Sequence, residues 1–191
     1  MVLYGVEGLI HRSHAQALLA LAAAECWGME VLPPMERGPW GKPFFPGLEH
    51  RQFNLSHSGS LALAALDSAP VGVDIQIVRP RRPAFPAKVF SPEELAWLDE
   101  GEDHWGRFAQ LWALKECRVK ESGRGLTRPI SAIRVPLPRG EGPCLLDGLW
   151  FQTYSGAGWR AALCGRTPPP VDIQWRTLPP ARDGRTTGKD G

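Results

Sequence analysis

Four short blocks hold the residues able to do chemistry. Arg37-Gly38-Pro39-Trp40-Gly41-Lys42-Pro43-Phe44 puts two cations in a loop rich in glycine and proline, where backbone and ammonium can come close to a phosphate. Phe53-Asn54-Leu55-Ser56-His57-Ser58-Gly59 gathers hydroxyls, an amide and an imidazole beside a strand, and Ser56 and His57 can both donate to phosphate oxygens. Gly72-Val73-Asp74-Ile75-Gln76 reads as a strand, so Asp74 and Gln76 share one face. A carboxylate and an amide oxygen there demand partners, and a metal ion is one. Trp112-Ala113-Leu114-Lys115-Glu116-Cys117-Arg118-Val119-Lys120 reads as helix, with Glu116 and Lys120 four apart on one face. That is a carboxylate for a metal or a proton beside a cation for a phosphate. Alone, each block also has a plain reading: a surface turn, a hydrogen-bonded histidine, polar strand-end residues, an i,i+4 salt bridge.

These blocks need elements to hold them. Residues 2–10 read as a strand. Apolar residues from Ala15 to Cys26 recur at helical spacing, with Ser13 as a cap and Gly28 as a stop. Residues 33–50 read as loop. Leu61–Leu66 and Val71–Ile77 read as strands joined by the polar turn Asp67-Ser68-Ala69-Pro70, a hairpin. Residues 78–89 form a connector whose Arg79, Arg81 and Arg82 are either solvated or a patch for an acidic partner. Ser91-Pro92-Glu93-Glu94 predicts a capped helix start with a capping box, and a longer helix covers 105–122, ended by Gly123 and Gly125. Short strands follow around Ile133, Trp150–Tyr154 and Trp159–Leu163, and 179–191 read as a frayed tail.

Taken in order, Gly41-Lys42-Pro43, Phe53-Asn54-Leu55-Ser56-His57-Ser58, Gly72-Val73-Asp74-Ile75 and Trp112-x-x-Lys115-Glu116-x-x-x-Lys120-x-x-Gly123-x-Gly125-Leu126 resemble a 4'-phosphopantetheinyl transferase of the surfactin-synthetase type, over about residues 12–165. The resemblance implies an α+β fold of two pseudo-symmetric halves with the active site between them: one unit over 1–175, with halves of roughly 1–75 and 76–175, then a flexible tail over 176–191. It implies transfer of phosphopantetheine from coenzyme A to a serine of an apo acyl or peptidyl carrier protein, with release of 3',5'-ADP. In that reading Asp74 and Glu116 bind Mg²⁺ with Gln76 beside them, and Glu116 is also the base. Lys120 contacts the coenzyme phosphates, and Arg37, Lys42, Pro43, Asn54, Ser56 and His57 line the coenzyme site. Mg²⁺ suits two carboxylates plus substrate phosphate.

Two departures stand out. The family usually carries an acidic residue where this chain has Gln76, which removes one negative charge and predicts weaker metal binding. The chain also begins close to its first long helix, so an N-terminal helix of longer relatives is expected to be absent. The alternative is a non-catalytic paralogue that binds coenzyme A or the carrier protein with an impaired metal site. Composition excludes other classes. In 191 residues, 22 Lys and Arg face 20 Asp and Glu, a net +2 and too little for a nucleic-acid partner. No apolar run approaches a membrane span, and the apolar stretch from Ala15 to Ala24 lacks the flanks of a secretion signal. Cys26, Cys117, Cys144 and Cys164 are far apart, which fits reduced thiols in a cytoplasmic protein, and the duplicated halves fit a monomer.

Overall fold

The computed structural model describes residues 1–8, 13–140 and 142–178. The expected strand residues 9–10 and the tail 179–191 lie outside the described residues. The architecture is α+β. One sheet has the order β10-β1-β5-β4, from β1 (Val2–Val6), β4 (Gln52–Ser58), β5 (Leu61–Asp67) and β10 (Gln174–Arg176). The other has the order β6-β9-β8-β7, from β6 (Val71–Ile77), β7 (Cys144–Leu146), β8 (Leu149–Gly156) and β9 (Trp159–Gly165). A two-residue pair, β2 (Glu36–Arg37) with β3 (Pro43–Phe44), lies inside the stretch expected as loop.

The apolar residues sort these parts into layers. Helix α1 (Ser13–Trp27) buries Leu18, Leu19, Ala22 and Ala23 against Tyr4, Val6, Phe53, Ala62, Ala64 and Leu66 of the first sheet. The opposite face of that sheet, Leu3, Leu61, Leu63 and Ala65, packs on Val71, Val73, Ile75, Ala161 and Leu163 of the second. The far face of the second sheet meets helix α4 (His104–Ser122) through Leu111, Ala113, Leu114 and Cys117 against Phe151, Ala162 and Cys164. Strand β5 is thus covered on both faces, and all seven of its residues are buried. This explains its unbroken apolar run.

Several expectations change. Strands β5 and β6 do not form a hairpin. Strand β5 pairs with β1 and β4, whereas β6 pairs with β9, so the 68–70 turn carries the chain from one sheet to the other. The expected boundary between halves, roughly at 75/76, falls near the end of β6, and β10 returns the chain to the first sheet. The Phe53–Ser58 block, read above as lying beside a strand, is itself part of strand β4. The strand expected near Ile133 is a short 3-10 turn, Ile130–Ala132. Arg176, grouped above with the tail, closes β10, which runs parallel to β1.

Helix starts follow the sequence closely. Helix α2 (Pro86–Val89) is a single turn in the basic connector. Helix α3 (Pro92–Asp99) opens with the expected capping box: Glu94 N–H donates to the Ser91 hydroxyl, and Ser91 N–H donates to the Glu94 carboxylate. Helix α4 ends at Gly123, whose φ of 65° is the left-handed value a glycine takes at least cost.

Candidate active site

The site starts from one glycine. A Cβ on Gly72 would collide with the backbone of α4 at the Cys117 carbonyl oxygen and the Glu121 nitrogen. Without a side chain there, α4 lies directly on β6. Asp74, two residues on and on the same strand face, therefore meets the face of α4 that carries Lys120.

Asp74 is 3% exposed, and both its oxygens are engaged. Oδ1 accepts from the Lys120 ammonium at 2.6 Å and from the Ser56 hydroxyl at 2.8 Å, while Oδ2 accepts from the Gln76 amide at 2.7 Å. Lys120 spends its other donors on Ser56 Oγ at 3.1 Å and the Val73 carbonyl at 3.2 Å. The i,i+4 salt bridge to Glu116 that spacing alone suggests does not form among the described residues, because Lys120 reaches across to β6 instead. Glu116 is half-buried, and burial first, then the Asp74 carboxylate, push its carboxyl above the usual range; Lys120 opposes this.

A buried carboxylate beside a half-buried one whose proton affinity it raises is a donor set for a hard divalent cation. Gln76 uses its amide nitrogen on Asp74, which leaves its oxygen as a third donor. Among the described residues no three His, Cys, Asp or Glu side chains come together as a metal cluster. The acidic donors are a pair, as the glutamine at 76 dictates.

The expected coenzyme residues divide. Asn54 and Ser56 face β6: Asn54 Oδ1 accepts from Val73 N–H, and Ser56 Oγ from Ile75 N–H. Lys42 lies over Gly123 and donates to the carbonyls of Val71 and Glu121, each at 3.0 Å. Burial lowers its pKa, and its ammonium caps an otherwise unpaired carbonyl of the last turn of α4. Arg37 and Pro43 pair with each other across β2 and β3, where Arg37 donates to the Gly41 carbonyl. His57 is exposed and projects from the α1 side of β4, opposite to Ser56. The Asp74 cluster therefore draws in Ser56, Gln76 and Lys120, with Glu116 beside it, and leaves Arg37, Pro43 and His57 apart.

The 4'-phosphopantetheinyl transferase superfamily model matches residues 70–164, the span from β6 through α4 to β9. A 4'-phosphopantetheinyl transferase of Bacillus subtilis is 30% identical over 168 residues, covering 79% of this chain and 71% of the relative. The chain belongs to this transferase superfamily. The 4'-phosphopantetheinyl transferase Sfp of Bacillus subtilis strain 168 is 32% identical over 151 residues, 70% of this chain and 64% of Sfp. AcpT of Salmonella typhimurium is 35% identical over 127 residues, 63% of this chain and 66% of AcpT. The chain thus spans about two thirds of the length of these transferases.

Sequence reasoning missed one structural pair inside the transferase motif. Lys115 is fully buried, pairs with Glu94 at 2.8 Å and donates to the carbonyls of Ile130 and Ile133. Glu94 thus caps α3 with one oxygen and holds α4 with the other. The capping box was the available signal, since a buried lysine on a neighbouring helix needs a carboxylate.

Proposed function

We propose that this transferase moves the 4'-phosphopantetheine arm of coenzyme A onto a serine hydroxyl of an apo acyl or peptidyl carrier protein, releasing 3',5'-ADP, with Mg²⁺ as cofactor. The observation that carries the reading is the meeting of Asp74, Lys120 and Glu116 at the join of β6 and α4, with the Glu116 carboxyl held above the usual range by burial and by Asp74. Asp74 and Glu116 would hold the ion, with the Gln76 oxygen or a water beside them. When bound, the ion polarises the phosphoryl oxygens.

The residues of the chain supply the rest. Glu116 accepts the serine proton while the serine oxygen bonds to phosphorus and the bond to the bisphosphate oxygen breaks. Its raised proton affinity suits that task. Lys120 offsets charge on the pyrophosphate and the leaving group. Lys42, His57 and Arg37 serve binding of the coenzyme. No helix among the described residues is long and apolar enough to cross a membrane, and four free thiols fit a reducing cytoplasm. Two halves in one chain fit a monomer.

Incubation with coenzyme A, Mg²⁺ and a panel of apo carrier proteins tests this by mass spectrometry. The expected result is one phosphopantetheine on the carrier serine. Gln76 favours one rival, a binding paralogue without catalysis, because its amide donates to Asp74 where a carboxylate would add charge. Transfer absent from the native protein at saturating Mg²⁺, with several carriers, and present in Gln76→Glu selects the rival.

A further inference from the structure

The outer edge of β6 is closed by side chains rather than by a strand. On its inner edge β6 pairs with β9 from Val71 to Ile77. An antiparallel ladder uses the N–H and C=O of alternate residues on that side and leaves the others pointing outward. Outward groups buried without partners carry the desolvation cost of an unmade hydrogen bond. Here five of them find a side chain. The Val71 carbonyl accepts from Lys42, and the Val73 carbonyl from Lys120. The N–H groups of Val73, Ile75 and Ile77 donate to Asn54 Oδ1 at 2.9 Å, Ser56 Oγ at 3.3 Å and Ser58 Oγ at 3.1 Å.

The three N–H rungs share one offset. Residues 54, 56 and 58 meet 73, 75 and 77, so β4 and β6 run in the same direction at a single register. A slip of one residue would turn Asp74 to the other face of its strand. A slip of two would set the longer asparagine against the wrong rung and leave an N–H unpaired. The carboxylate sits between the first two rungs, and the middle rung, Ser56, also donates to it.

We propose that Asn54 and Ser58 are positioning residues. They lock β6 at the register where Asp74 meets Lys120 and Glu116, and so act on the reaction through that carboxylate rather than by touching coenzyme A. The effect on catalysis rests on the transferase reading; the ladder itself does not. This moves Asn54, which is 6% exposed, from the coenzyme site to the join between the sheets, and it gives Ser58 a role.

Residue-specific amide exchange by NMR reads the ladder with no substrate present. In Ser58→Ala the Ile77 amide should lose about tenfold in protection, the scale of one lost hydrogen bond, while amides of the α1 core stay unchanged. Ser58→Thr, which keeps the hydroxyl, should restore it. Asn54→Ala should do the same at Val73. Should Asn54→Ala fail to fold, Ser58→Ala at the strand end decides. Mn²⁺ affinity by electron paramagnetic resonance should fall several-fold in Ser58→Ala, and half-saturating Mg²⁺ for transfer should rise to match. The KM for coenzyme A should stay within about twofold, a split that a coenzyme contact would reverse. Unchanged Ile77 protection, or a raised coenzyme KM with unchanged metal affinity, overturns the proposal. Lost protection and weaker Mn²⁺ binding in a protein that transfers nothing would keep the positioning role and retire the transferase reading.

Discussion

At the residue scale, Glu116 makes the site's electrostatics measurable. Burial and Asp74 raise its carboxyl in the folded protein. The native state therefore holds this proton at pH values where the unfolded chain has released it. Stability from this group is present below the ordinary glutamate range and is lost as pH rises through the raised value. Glu116→Gln cannot ionise, so in metal-free buffer with a chelator it should gain on the native protein across that window. A relative rise in melting temperature of about 2–4 °C corresponds to about 1 kcal/mol in a chain of this size. Added Mg²⁺ should raise the melting temperature of the native protein and leave the variant nearly unmoved, because binding to the folded state stabilises it. Scanning calorimetry against pH, with and without Mg²⁺, reads both effects. A native protein that gains on the variant as pH rises would contradict this account of the site.

At the element scale, the seating of α4 on β6 and the Lys115–Glu94 pair make separate predictions. Gly72→Ala puts a methyl against helix backbone that cannot rotate away, and urea denaturation should show a loss of about 3 kcal/mol or more. Lys115→Met strands a buried Glu94 and should cost about 3–5 kcal/mol; adding Glu94→Gln should recover part of it. Equal losses in the single and double variants would remove the pair from the argument. These elements also show what a sequence can reveal. The capping box at Ser91 and the strand through Asp74 depend on near neighbours, and both are legible. The turn at 67–70 looks like a hairpin locally. Strand β5 is already flanked by β1 and β4, so β6 finds its partner in β9, far along the chain. Strand β4 is hidden because its alternation is inverted: Asn54, Ser56 and Ser58 face inward to serve β6. For the same reason Asp74, Glu116 and Lys120 are legible as candidates, but the choice of Lys120 for Asp74 over Glu116 appears only once α4 is seated.

At the scale of the whole molecule, the order of layers is α1, first sheet, second sheet, α4. The edge of β6 that meets β4 lies between the two sheets, and the chain leaves that strand just past Gln76 into the basic connector. Arg79 and Arg82 are exposed and Arg81 is half-buried, and none of the three forms an ion pair among the described residues. A net charge of +2 is too small to create a field over the whole protein, so steering of an acidic carrier protein must come from a local patch such as this one. Replacing Arg79, Arg81 and Arg82 together with Ser should slow carrier association several-fold at low salt and flatten its dependence on ionic strength, while coenzyme A binding stays unchanged. The three arginines lie before the single turn of α2 at Pro86–Val89, so the variant should keep its melting temperature. Stopped-flow association rates over a range of salt concentrations make the test. Equal salt slopes in both proteins would leave the connector a solvated loop and send the search for the docking surface elsewhere.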